Sequence, residues 1–110
     1  MIQVANPRYR VYVATITQAG VANPVATIIE NTIGAILWVR SGAGVYRGDL
    51  ANVFVAGKTW LSEVPVNTLG TFARMARFNA SRVEIFTVNA ALVATDALLT
   101  DSSIEIRVYF

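Results

Sequence analysis

The side chains able to do acid–base work in this chain are seven carboxylates: Glu30, Asp49, Glu63, Glu84, Asp96, Asp101 and Glu105. There is no His and no Cys. That removes imidazole general bases, thiolate nucleophiles, disulfides and the usual zinc sites. Cleaving a glycosidic bond needs two carboxylates flanking it, one with a raised pKa. No spacing among the seven singles out such a pair. Glu84 alternates with Arg82, and Glu105 with Arg107, the layout of ordinary charge pairing between strands. The expectation is a protein that is not an enzyme, with no catalytic residue, no metal site and no cofactor.

Other residues with chemical potential have a plainer reading beside the functional one. Asp96 and Asp101 could offer oxygen ligands to calcium, but nothing resembles an EF-hand loop, and a solvated loop is the favoured reading. Ser41-Gly42-Ala43-Gly44 is the only Gly-rich loop. A phosphate-binding loop must run into a helix, whereas Val45-Tyr46-Arg47-Gly48 continues as strand, so a hairpin turn is expected. Asn79-Ala80-Ser81 has the form of a glycosylation acceptor and reads as a turn. Trp38, Trp60, Tyr46 and Tyr12 could stack on sugars or bases, although aromatics at strand positions more often belong to a core or an interface. Trp38, Arg40, Tyr46, Trp60 and Arg107 are the candidates for an interface or a ligand-stacking surface.

The elements that must position these residues follow from composition and period. At 110 residues the chain suits one domain, a single β-sandwich over residues 1–110 with 1–7 as an extended arm. Hydrophobic residues make up 55% and charged residues 15%, against about a quarter charged in typical globular chains. So little polar surface points to apolar surface covered by a partner. The net charge is +2 and eight of the nine cations are Arg, spread along the chain. Without a basic patch, no nucleic acid is expected as a partner. No run approaches the roughly 18 apolar residues of a membrane span. The start, MIQVANPRYRV, lacks a signal-peptide layout, and a soluble, unsecreted protein is expected.

Apolar residues recur with period two, the signature of strands. Strands are expected at Tyr9–Gln18, Val25–Glu30, Ala35–Arg40, Val45–Leu50, Thr59–Val64, Phe72–Phe78, Arg82–Asn89 and Ser103–Phe110. Ala35–Arg40 is apolar on both faces, so it is expected to be central or covered on its second side. Ala90–Thr100 fits either a short helix or an ordered loop. In the last strand Ile104, Ile106, Val108 and Phe110 oppose Glu105, Arg107 and Tyr109. The fold class is all-β: an antiparallel sandwich or jelly-roll-like barrel of 7–8 short strands.

Several short words stand in order along the chain: Val25-Ala26-Thr27-Ile28-Ile29-Glu30-Asn31-Thr32-Ile33-Gly34, Trp38-Val39-Arg40, Gly44-Val45-Tyr46-Arg47-Gly48-Asp49-Leu50, Gly57-Lys58-Thr59, and Ser103-Ile104-Glu105-Ile106-Arg107-Val108-Tyr109. From Tyr9 onward they resemble small structural proteins of tailed bacteriophages and prophages, with 65–78 matching only loosely. The resemblance implies a virion component of head-decoration, head-fibre or tail-associated type, made in the host cytoplasm. It implies assembly with itself, a trimer being the first choice, and with other virion proteins. A carbohydrate-binding or adhesion module on such a particle is the rival, with carbohydrate as its partner.

Overall fold

The computed structural model of the chain describes residues 8–63 and 70–110. Among the described residues there are eight strands: β1 (Tyr9–Thr17), β2 (Val25–Asn31), β3 (Leu37–Gly42), β4 (Val45–Asp49), β5 (Thr59–Glu63), β6 (Phe72–Asn79), β7 (Arg82–Val88) and β8 (Ser102–Tyr109). Each span expected from the sequence is a strand, with ends displaced by one or two residues. Val64, Pro65 and the arm expected over 1–7 lie outside the described residues. Two antiparallel four-stranded sheets result, ordered β2-β1-β8-β5 and β3-β4-β7-β6. Of the two forms left open, the sandwich is the one adopted.

Alternation decides what each sheet buries. From the first sheet, Tyr12, Ala14 and Ile16 of β1 and Ile104, Ile106 and Val108 of β8 point inward. Trp38, Tyr46, Met75, Val83 and Ile85 answer from the second sheet. Val53 and Phe54, between β4 and β5, and Leu99, between β7 and β8, close the core from the connections. Burying one such aliphatic or Phe side chain stabilises by about 1.5–3 kcal/mol.

Two glycines permit this packing. Ala43-Gly44 turns β3 into β4, and Gly44 has φ +65. A Cβ on Gly44 would stand 2.5 Å from Thr87 O and 2.6 Å from Thr95 N, so only glycine fits. Gly48 pairs with Trp38, whose indole lies across it: a Cβ there would sit 2.8 Å from Trp38 Cζ3. The spacing Gly44-x-Tyr46-x-Gly48 thus combines a tight turn, a core phenol and a seat for an indole.

Two pairs of open alternatives narrow. β3 is an edge strand, so the central reading falls and cover on its second side is left. Trp38 is buried, while Leu37 on the other face is 64% exposed. Periodicity counts apolar residues on each face but says nothing about how many neighbours a strand has, and the second apolar face of β3 opens outward. Between β7 and β8 no helix forms. Asn89 Oδ1 accepts from the N–H groups of Ala91 and Val93, Ala94 bridges back to Val88, and Leu92 and Ala97 take left-handed φ of 62° and 64°. Such φ values interrupt a right-handed helix. The segment is an ordered loop.

Candidate functional site

Two side-chain clusters and one apolar face stand out, and the sheets account for each. In the first sheet, Trp60 of β5 pairs with Arg107 of β8, and Tyr9 of β1 pairs with Tyr109. Paired residues of an antiparallel ladder point to the same side, so these four side chains gather on the outer face. The Arg107 guanidinium carbon is 4.6 Å from the Tyr9 ring centre and 4.8 Å from that of Trp60. The Tyr9 and Tyr109 rings meet at 5.1 Å with a 51° tilt. Arg107 Nε donates to Glu105 Oε2 at 2.6 Å, and Nη1 donates to the Tyr109 hydroxyl at 3.4 Å. Tyr109 and Glu105 hold the guanidinium above its ordinary pKa. Trp60 remains 45% exposed.

The second cluster ties the β7–β8 loop to the second sheet. Arg40 Nη2 and Nε donate to Asp96 Oδ2 at 2.7 and 3.0 Å, and Gly44 N donates to Asp96 Oδ1 at 3.0 Å. The Tyr46 hydroxyl lies 2.8 Å from both Asp96 Oδ1 and Gln18 Oε1, and its single proton is donated to one of the two at a time. Gln18 Oε1 also accepts from Ala97 N at 2.6 Å, and Gln18 Nε2 donates to the carbonyls of Gly20 and Ala22. Hydrogen bonds from Arg40 and then Gly44 hold the Asp96 carboxyl well below the usual carboxylate range. Burial, with Asp96 beside it, pushes the Tyr46 phenol up to about 12. Asp96 is therefore not the solvated loop residue expected: its side chain is 17% exposed. Asp101 engages Thr17 instead, and among the described residues no cluster of three acidic groups could hold a metal ion.

The structure divides the five candidate residues. Trp38 and Tyr46 lie in the core, where Trp38 Nε1 donates to the Tyr12 hydroxyl at 3.1 Å. Arg40 belongs to the Asp96 cluster. Trp60 and Arg107 share the outer face of the first sheet, whereas the other three belong to strands of the second. Tyr9 and Tyr109 complete that cluster and were missed, because alternation assigns a face but not the strand lying next to it. Glu105 does pair with Arg107, along one strand. Arg82 turns from Glu84 to Asp49, its register partner on β4, at 2.8 Å.

The outer face of the second sheet has another character. Phe72, Phe78, Leu92 and Leu37 are all exposed there or beside it. Phe72, Arg74, Phe86, Val88 and Leu92 line a shallow depression. Arg74 lies over the Phe86 ring at 5.1 Å and Arg82 over that of Phe78 at 5.5 Å. Arg47, Asp49 and Glu84 add both signs of charge along β4 and β7. Comparison with protein-family models, curated proteins and solved structures gives no match.

Proposed function

We propose that this chain is a non-enzymatic packing component of a multi-subunit particle, of the virion type that its sequence resembles, assembling as a symmetric homo-oligomer. The observation that carries the reading is the outer face of the second sheet. Phe72 is 57% exposed and Phe78 58%, and the exposed Leu92 extends the patch. Large apolar side chains exposed on one face of a sheet favour a partner. The Arg residues set over its rings suit an interface, because a guanidinium stem packs on apolar groups while its planar end bonds carboxylates or carbonyls. Alternating Arg47, Asp49, Arg82 and Glu84 supply both signs, so copies of this surface can meet with opposite charges facing. A trimer is the first choice of copy number, and that preference comes from the phage resemblance alone.

Light scattering after size exclusion tests the reading. A mass that is a small multiple of 11.9 kDa is expected. Replacing Phe72 and Phe78 together by Lys should return the mass to that of one chain with little cost to the protomer fold. A single-chain mass at every concentration would overturn self-association.

A further inference from the structure

We infer that the outer face of the first sheet, centred on Trp60, Arg107 and Glu105, is a binding site for a neutral saccharide. The inference goes beyond assembly and uses the opposite sheet.

Three properties of the cluster specify the ligand. The first is charge. Glu105 lies 2.6 Å from Arg107, so the pair presents no net charge and gives a phosphate or carboxylate ligand little preference over a neutral one. The second is the pattern of donors and acceptors. A guanidinium carries five N–H donors and a carboxylate two acceptor oxygens. Among the described residues, Arg107 uses Nε and Nη1, and Glu105 accepts through Oε2. Among the described residues this leaves Arg107 Nη2 and Glu105 Oε1 without a hydrogen bond, a donor and an acceptor on one ion pair. Neighbouring hydroxyls on a pyranose ring can accept from one and donate to the other.

The third property is the aromatic surround. Trp60, across the ladder from Arg107, and Tyr109, two residues along β8, are both exposed, and indole and phenol rings offer flat apolar surface with a wet edge. The C–H face of a sugar matches such a surface. Arg107 is already fixed between the Tyr9 and Trp60 rings, so little side-chain freedom is lost when a ligand arrives. An open site of this kind binds a single sugar weakly and gains strength when an oligomer displays several copies.

The test uses the whole chain as assembled. Neutral and acidic oligosaccharides are screened on an array, and cellobiose, maltose, lactose and chitobiose are titrated while tryptophan fluorescence is followed. Trp38 is buried, so a ligand in solution reports through Trp60. Saturable quenching or a blue shift with at least one neutral sugar is expected. Trp60→Ala and Glu105→Gln should each weaken it about tenfold or more, and Trp60→Phe should retain part of it. No response to any neutral sugar, binding confined to acidic glycans, or undiminished binding by both Trp60→Ala and Glu105→Gln would overturn the assignment. The Phe72 and Phe78 replacements leave this face intact, so loss of assembly and loss of sugar binding are read separately.

Discussion

Arg40 Nη2 and Asp96 Oδ2 lie 2.7 Å apart although one belongs to β3 and the other to the loop before β8. The same carboxylate takes the Gly44 N–H and has the Tyr46 hydroxyl at 2.8 Å. One aspartate therefore joins a loop, an edge strand, a turn and a core phenol, and its loss should be felt at all four.

Asp96→Ala should destabilise the protein by about 1.5–3 kcal/mol, the range for hydrogen bonds to a charged group. Urea unfolding of Asp96→Ala, Arg40→Ala and the double variant measures this. The two single effects should not add, because both remove one interaction. Additive effects would mean that the pair contributes nothing jointly.

Stability should change little between about pH 5 and 8, since no side chain has an ordinary pKa in that interval without His or Cys. Asp96 is held below its ordinary 3.8, so its contribution is complete above that value and is lost as the pH falls below it. Tyr46 is raised from 10.0 to about 12; its contribution is complete below 10 and is lost as the pH rises towards 12. Unfolding free energies across the pH range should show these two limbs. Asp96→Asn should flatten the acid limb, and an unchanged limb would place its origin in other carboxylates.

Gly48→Ala should destabilise by about 1–3 kcal/mol, the usual cost of forcing extra volume into a packed site. The new methyl meets the Trp38 ring at 2.8 Å and Ile36 Cγ2 at the same distance. A thermal melt gives the size of the effect, and near-ultraviolet circular dichroism should report the displaced indole. A variant with native stability and native spectrum would show that Trp38 has room to retreat.

Removing Ser103–Phe110 should abolish folding. β8 lies between β1 and β5, and its Ile104, Ile106 and Val108 are buried. Those three side chains alone represent roughly 5–9 kcal/mol of burial, comparable with a whole domain stability of about 5–15 kcal/mol. Ile106→Ala, a milder change, should cost about 2–5 kcal/mol. A truncated chain that unfolds cooperatively at the native temperature would make β8 dispensable.

The eight strands and the inward Ile104, Ile106 and Val108 of β8 were legible because alternation and turn residues act locally; Phe110, grouped with them by the same alternation, lies past the end of β8 and is exposed. Tyr12–Trp38 contact, the Arg40–Asp96 pair and the Tyr9–Tyr109 neighbours were not, since each depends on which strands adjoin. The Asp96 error has the same source. A carboxylate in a loop looks solvated until strands distant in sequence bring an Arg, an amide and a phenol to it. Trp60 and Arg107 were recognisable as chemically capable types, but only the β5–β8 register puts them in contact. For β3 the apolar second face left two readings, a central strand or one covered from outside, and only the strand order removes the first.

The pairing of β1 with β8 sets Tyr9 opposite Tyr109, and this fixes an order of events during synthesis. The β3–β4 and β6–β7 hairpins, and the β4–β7 ladder joining them, involve only strands made before β8. The first sheet cannot close until β8 is available, because β8 is the inserted strand between β1 and β5. Bringing such distant segments together carries a large loop-closure entropy and slows folding. Until then β1 offers one unpaired edge and an apolar face, the state in which nascent chains are prone to join the wrong neighbour. Overproduction should thus be sensitive to temperature, with slower synthesis favouring native chains, for a reason found in strand order and not in the strength of the finished fold.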